Sequence, residues 1–395
     1  MKDLTNLKTF IIDTRDPCEI DDAISLEFDE NGKYYIWIHI SYPVRLFEFD
    51  SDFEEKASKK CCSLYLVNEY IGMIDKDITE IANLKQNKIS ETLSTRIELA
   101  ENGSIKHYEI MEAKIKPNYQ ITYEEANDLI DLEPKEEIEL ILMKDMLMKS
   151  YEFRESKGAI IFDIPYSKLY LDKNGNPKVS KIDTTTAHKV VSEAMILMGY
   201  VYSDFLLKNG LPAPFRSQKI NCNASEILER NFTSPVKYSI LKQYIGKSNI
   251  SIKASSHETL GLKSYVQATS PLRRYLDLVI QRQISLKLNN KKTISEDEIK
   301  EIIENNKIRQ INANNIVKEN KLKYLRKFFN NKNETNKLIL IRWVNSKKNI
   351  ALVYFPEYYL ETLVILYSSI ETYPNKIYKV KYYRNDSSNL LEFIN

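Results

Sequence analysis

Cysteine is scarce in this chain of 395 residues. Its four thiols, Cys18, Cys61, Cys62 and Cys222, form neither a CxxC pair nor the regular framework of a secreted disulfide scaffold, so they are read as reduced, with no disulfide partner. Net charge is nearly absent too. Against 57 Lys and Arg stand 55 Asp and Glu, a sum of +2, which excludes a bulk basic field and leaves nucleic-acid affinity to local clusters. No uninterrupted apolar run approaches the ~18 residues of a membrane span. The first residues (MKDLTNLKTFIIDT) have neither the apolar core of a secretory leader nor an Arg-rich transit character. No membrane role is expected. Glycine is rare, 9 residues against 26 Tyr, and Asn, Lys and Ile are abundant, the skew that an AT-rich genome imposes. That skew places the protein in a bacterial cytoplasm or, if an organelle encodes it, in the plastid stroma.

What remains is ordinary globular usage, with 43% hydrophobic and 28% charged residues. Such a composition argues against wholesale disorder, and the length allows two to three domains at roughly 100 to 200 residues each. From Thr9 to Ile40 the pattern has period two in FIID, AISLEF and YYIWIHI, with Asn31-Gly32 as a hairpin signal. A mixed region follows to about Pro117. Helical spacing then predicts a helix over Ala187–Lys208, stopped by Asn209-Gly210 and Pro212. A second helix is expected to open at Ser270 as N-cap with Pro271 in first position. A third follows from the Ser295/Glu298 capping box and continues to about Glu334. From Lys337 five short strands (KLILIRWV, NIALVYF, ETLVILY, KIYKVKYY, LLEFI) fit a small OB-type barrel. The fold class is therefore α+β, with a main domain of mixed sheet and helices over 1–334 and a barrel over 335–395. Fixed-period repeats are absent, as are long low-complexity tracts.

Two segments carry chemistry. The first is Asp13-Thr-Arg-Asp-Pro-Cys-Glu-Ile-Asp-Asp22, which packs Asp13, Asp16, Glu19, Asp21 and Asp22 into ten residues opposed only by Arg15. Such carboxylates repel unless they are fully solvated or a divalent cation neutralises them. Oxygen ligands without His or Cys suit Mg²⁺ or Mn²⁺. An ion held by few carboxylates completes its shell with water and substrate phosphate, so the natural chemistry is phosphoryl transfer or phosphodiester hydrolysis. The second is Thr269-Ser-Pro-Leu-Arg-Arg-Tyr275, where a helix start and the Arg273 fork form an anion site, with Asp277 as an alternative partner for Arg273.

Both segments, in this order, resemble the catalytic (RNB) domain of the RNase II and RNase R family of 3′→5′ exoribonucleases. IDTRDPCEIDDA resembles the family's acidic signature, and HETLGLKSYVQATSPLRRYLDLVIQR its TSPIRRY-x-D signature; weaker echoes are CSLYL, GAIIFDIPYSK, AHKVVSEAMILM and GLPAPFR. The likeness covers about residues 8 to 290, and the C-terminal barrel is similar to the family's S1-like RNA-binding module. It implies that Asp13, Asp22 and Glu19 hold metal, that Asp21 and Arg273 are catalytic, and that Arg273, Tyr65 and Glu193 bind RNA. The implied partner is single-stranded RNA; the implied products are nucleoside 5′-monophosphates. A short form without the N-terminal cold-shock barrels is expected, since a dozen residues precede Asp13. Three positions depart from the family pattern: Glu19 stands for Asp, Tyr42 for Asp, and Gln281 for His. They leave open a rival reading, an RNA-binding or scaffolding protein on a catalytically lapsed RNB domain. Oligomeric state is not legible in the sequence. In the barrel, Lys347, Lys348, Lys376, Lys379, Lys381 and Arg384 beside Tyr378, Tyr382 and Tyr383 suit single-stranded RNA.

Overall fold

The computed structural model describes residues 1–161, 165–221, 234–331, 335–368, 371–385 and 388–395. Cys222 and part of the GAIIFDIPYSK segment lie outside them. At its centre is a seven-stranded mixed sheet of β1 (Lys2–Asp3), β2 (Thr9–Asp13), β3 (Asp22–Phe28), β4 (Tyr34–Ser41), β5 (Ser90–Leu99), β6 (Ile105–Ile115) and β7 (Tyr119–Thr122). The order is β1-β6-β5-β4-β3-β2-β7, parallel at both edges and antiparallel between. The three period-two segments are β2 to β4. Gly32, at φ 78°, supplies the left-handed residue of the β3–β4 turn. β4 is buried on both faces, so its run of β-branched and aromatic residues fills the core from either side. His39 belongs there too. Its ring nitrogens meet Ser25 Oγ and Ser94 Oγ at 2.8 Å each, and burial pushes its pKa down to about 3, so it stays neutral.

The stretch read as mixed holds β5 and β6, the longest strands of this sheet. β6 escaped notice because exposed polar positions such as Lys106, His107 and Glu109 dilute its apolar alternation.

Five helices matter for the site: α1 (Asp52–Lys60), α2 (Ile138–Ser156), α3 (Thr186–Lys208), α4 (Tyr275–Leu288) and α5 (Glu296–Asn330). α3 is long and apolar enough by composition to cross a membrane. In this fold it is a core helix, burying Val190, Ala194, Met198, Val201 and Tyr202. α5 begins at the expected capping box, with Ser295 N–H donating to Glu298 Oε2 at 2.8 Å, and runs to Asn330; the expected end near Glu334 lies outside the described residues.

The five expected C-terminal strands are β8 (Asn336–Asn345), β9 (Ile350–Phe355), β10 (Leu360–Tyr367), β11 (Ile377–Tyr383) and β12 (Leu391–Ile394). They close into a barrel ordered β8-β9-β10-β12-β11, with β10 and β12 parallel. The last turn of α5 enters this barrel's core: Phe329 is fully buried, with ring centroids 5.1 Å from Phe393 and 5.2 Å from Phe355. Burying such a ring contributes about 1.5–3 kcal/mol, which ties the barrel to the helix before it. The expected aromatic row is split by the pleat of β11. Tyr378 and Tyr382 turn inward to the core, while Lys379, Lys381 and Tyr383 face out.

Candidate active site

The acidic loop connects β2 to β3, and the two strands are paired only at Thr9↔Ser25 and Phe10↔Ile24. Beyond Phe10 each strand turns to its other neighbour, β2 to β7 and β3 to β4. This splay opens a pocket of about 240 Å³ lined by Asp13, Asp16, Glu19, Asp21, Asp22, Tyr65, Lys168 and Arg273, among others. The far half of the loop is pinned from outside, because Ile20 N–H donates to Asn83 Oδ1 at 2.8 Å and Leu84 N–H to Ile20 O at 3.2 Å. A larger, mostly apolar cavity of about 580 Å³, lined by Phe153, Leu197 and Tyr200, contains none of the acidic residues.

Asp21 and Asp22 are consecutive and take different partners, as successive residues of an extended chain do. Asp21 is 4% exposed. Its Oδ1 accepts from Leu272 N–H at 3.0 Å and Ser41 Oγ at 3.1 Å. Its Oδ2 is buried with no hydrogen-bond partner and faces Arg273 Nε at 3.6 Å. Burial pushes the Asp21 carboxyl up to about 7 against the pull of Arg273. Asp22 is likewise raised to about 7, first by lost hydration and then by repulsion from Asp13; Asp13 is raised by burial as well. Three carboxylates thus share a poorly hydrated floor.

At the pocket mouth Glu19 is buried, accepting from Ser63 Oγ at 2.7 Å on one oxygen and from the Tyr65 hydroxyl on the other. Tyr65 is not a core tyrosine. Its ring is 48% exposed and tilted against Tyr70 with centroids 5.4 Å apart. Glu19 therefore holds the aromatic at the entrance, a tie that Ser63 reinforces and that only the folded chain reveals.

The helix bearing the second motif starts later than its sequence suggests. Ser270 N–H donates to Asp277 Oδ2 at 2.9 Å, and Arg274 extends to bridge Cys62, so α4 begins at Tyr275. Residues 270–274 form a turn whose Arg273 and Arg274 N–H groups both bond Ser270 O. Asp277 pairs with Arg274 Nη2 at 2.6 Å, not with Arg273. Arg273 is left free to lean, 42% exposed, over Asp21.

The sequence matches the RNB domain family over residues 1–290. The chain belongs to that family. It is 30% identical over 366 residues to an uncharacterized ribonuclease of Synechocystis, covering 91% of this chain and 54% of the relative. It is 29% identical to ribonuclease II, chloroplastic/mitochondrial, of Arabidopsis thaliana, covering 71% of this chain and 36% of the relative. The chain thus spans about half the length of these relatives or less. Among solved structures, an active-site mutant of the Dss1 exoribonuclease from Candida glabrata superposes with a TM-score of 0.88 at 20% identity, covering 100% of this chain and 55% of that one. The fold is the RNB fold followed by a barrel.

Two of the three departures from the RNB pattern are packing residues. Tyr42 is buried and donates to Glu112 Oε1 at 2.9 Å; Gln281 is buried and donates to Ser41 O at 2.7 Å, behind Asp21. Only Glu19 touches the pocket. Glu193 is placed apart from the pocket: it is 1% exposed, and its carboxylate is engaged by the Arg154 guanidinium and by Ser150 Oγ at 2.9 Å. An apolar helix face explains why, since a carboxylate there requires an internal cation.

The donor set suits a hard divalent cation, and Asp21 Oδ2, buried without a hydrogen bond, keeps its lone pairs available beside Arg273. Among the described residues no three acidic, His or Cys side chains close into a ready-made cage. Lys168, on the strand Tyr166–Leu171, is a second cation at the pocket, and no motif in the sequence singles it out.

Proposed function

We propose that this RNB chain hydrolyses single-stranded RNA from the 3′ end and releases nucleoside 5′-monophosphates, with Mg²⁺ or Mn²⁺ held by Asp13 and Asp22 and by the lone pairs left on Glu19. The observation that supports it most is the conjunction of Asp21 Oδ2, buried and unpartnered, with Arg273 leaning over it and Tyr65 at the mouth. When bound, the metal polarises a phosphate and acidifies water. Asp21, its other oxygen anchored by Leu272 N–H and Ser41 Oγ, orients the attacking water and takes up its proton at Oδ2. Arg273 offsets charge that develops on the phosphate, and losing it costs about 10²–10³ in rate by analogy with single charge-stabilising donors. Tyr65 stacks on the terminal base, a contact worth about 1–3 kcal/mol and tolerant of sequence.

The Arabidopsis relative's chloroplastic/mitochondrial name supports a plastid as the compartment, with a bacterial cytoplasm as the alternative. The deciding experiment incubates linear and circular forms of one RNA with the chain and Mg²⁺. Mononucleotides from the linear form alone are expected, none with chelator. Cleavage of the circle would overturn the exonucleolytic reading.

A further inference from the structure

Behind the pocket lies a second chemical feature. Cys61 and Cys62 are adjacent in sequence, and their Sγ atoms stand 3.9 Å apart. They occupy the joint between the C-terminus of α1, the middle of α5 and the turn that carries Arg273. Tyr275 N–H donates to Cys61 O at 2.9 Å, Ser63 N–H donates to Arg273 O at 3.1 Å, and Cys62 bridges Arg274 in antiparallel register. The backbone of residues 61–63 is therefore the rail on which Arg273 and Arg274 sit. Cys61 is held at φ 58°, a conformation rare for a residue with a Cβ, by its N–H bonds to Ala57 O and Ser58 O.

We propose that Cys61 and Cys62 form a two-thiol modification site that peroxide closes into a vicinal disulfide, shifting the Arg273 turn. Cys62 is the partly exposed member and accepts from Gln310 Nε2 at 3.5 Å, whereas Cys61 is buried. The contact with Cys61 helps lower the Cys62 thiol to about 7, so a thiolate is available at neutral pH. That thiolate attacks hydrogen peroxide: an S–O bond forms, the O–O bond breaks, and the departing hydroxide is protonated to water. Cys62 is then a sulfenic acid. Cys61 sulfur attacks Cys62 sulfur, the S–S bond forms, the S–O bond breaks, and the Cys61 proton leaves with the hydroxide as a second water. In sum, two thiols and one peroxide give a disulfide and two waters.

Closure cannot leave the rail in place. Cα atoms across a trans peptide are about 3.8 Å apart, short of the usual 4.4–6.8 Å for a disulfide, so the peptide between the two cysteines must twist. Cys61 O belongs to that peptide and Ser63 N–H to the next, and both hold the Arg273–Tyr275 segment. A strained bond of this kind is also easily reduced, which makes the change reversible. The consequence for activity rests on the ribonuclease reading above; the thiol chemistry does not.

The test treats the reduced full chain with hydrogen peroxide. The peptide containing Cys61 and Cys62 should lose about 2 Da, two hydrogens, and regain them with dithiothreitol. Cys61→Ser should instead accumulate a dimedone-reactive sulfenic acid at Cys62, and Cys62→Ser should give neither product. In the oxidised wild type, amide exchange at Ser63 and Tyr275 should accelerate about tenfold or more as their hydrogen bonds open. RNA turnover should fall about 10²-fold, as expected for a displaced charge-stabilising donor, and recover on reduction. Oxidation that stops at single-thiol products, or that links other cysteines, would overturn the site. A disulfide with unchanged exchange at both amides would overturn its coupling to Arg273. An inactive reduced chain would count against the ribonuclease reading alone, because mass and exchange are read without RNA.

Discussion

Leu272 N–H donates to Asp21 Oδ1 at 3.0 Å, joining two residues 251 positions apart. This bond brings the two sequence motifs together: it fixes one oxygen of the aspartate, points the other at Arg273, and sets the arginine's own backbone beside the acidic floor.

Asp21→Asn should abolish hydrolysis while leaving RNA binding largely intact. The amide keeps an oxygen for Leu272 N–H and loses the charge that a metal and water need. Turnover should fall well beyond tenfold in a single-turnover assay. Retention of more than about a tenth, under ~1.4 kcal/mol of barrier, would remove Asp21 from the chemistry.

Stability should depend on pH and on divalent cation together. The Asp21 and Asp22 carboxyls titrate near 3.8 when unfolded and are raised to about 7 in the fold. Between about pH 4 and 7 the native state therefore binds more protons than the unfolded one, and its stability falls as pH rises; above both values the loss is complete. In chelator, Tm should drop between about pH 4.5 and 7.5. Mg²⁺ should restore it at the upper pH and not at the lower, where protons occupy the carboxylates. Asp22→Asn should flatten the profile measured in chelator.

Arg154→Met separates a packing role for Glu193 from a role in the RNA channel. The substitution leaves the Glu193 carboxylate buried without its cation, which costs about 3–5 kcal/mol. Urea unfolding should show a loss of that size. RNA affinity of the folded fraction should not change, and an affinity loss without destabilisation would restore the channel role.

The barrel's outer face should contribute salt-dependent affinity. Removing residues 336–395 would also strip the cover from Phe328 and Phe329, so point changes are the cleaner probe. Lys379→Gln with Lys381→Gln should weaken RNA binding and reduce the slope of log K against log salt by about 1.4, two single-strand contacts at ~0.7 each. An unchanged slope would mean that this face does not meet RNA.

Elements whose physics is local were legible from residue order alone. Alternation marked β2, β3 and β4, the Ser295/Glu298 box started α5, and five short apolar runs gave the barrel strands, because each signal lies within a few residues of the element it forms. The acidic loop and the Arg273 turn were legible as composition. Tertiary structure decided how they are used. Ser270 has the residue type of an N-cap, but Asp277 takes its N–H and the Cys62 bridge extends Arg274, delaying α4 to Tyr275 and freeing Arg273. Glu193 and Tyr378 have the residue types of a binding surface and the positions of a core, a distinction set by what packs against them from distant segments. Burial is a property of the assembled chain. The raised carboxyls of Asp21 and Asp22, and the rail of residues 61–63 behind Arg273, exist only once strands far apart in sequence have closed around them.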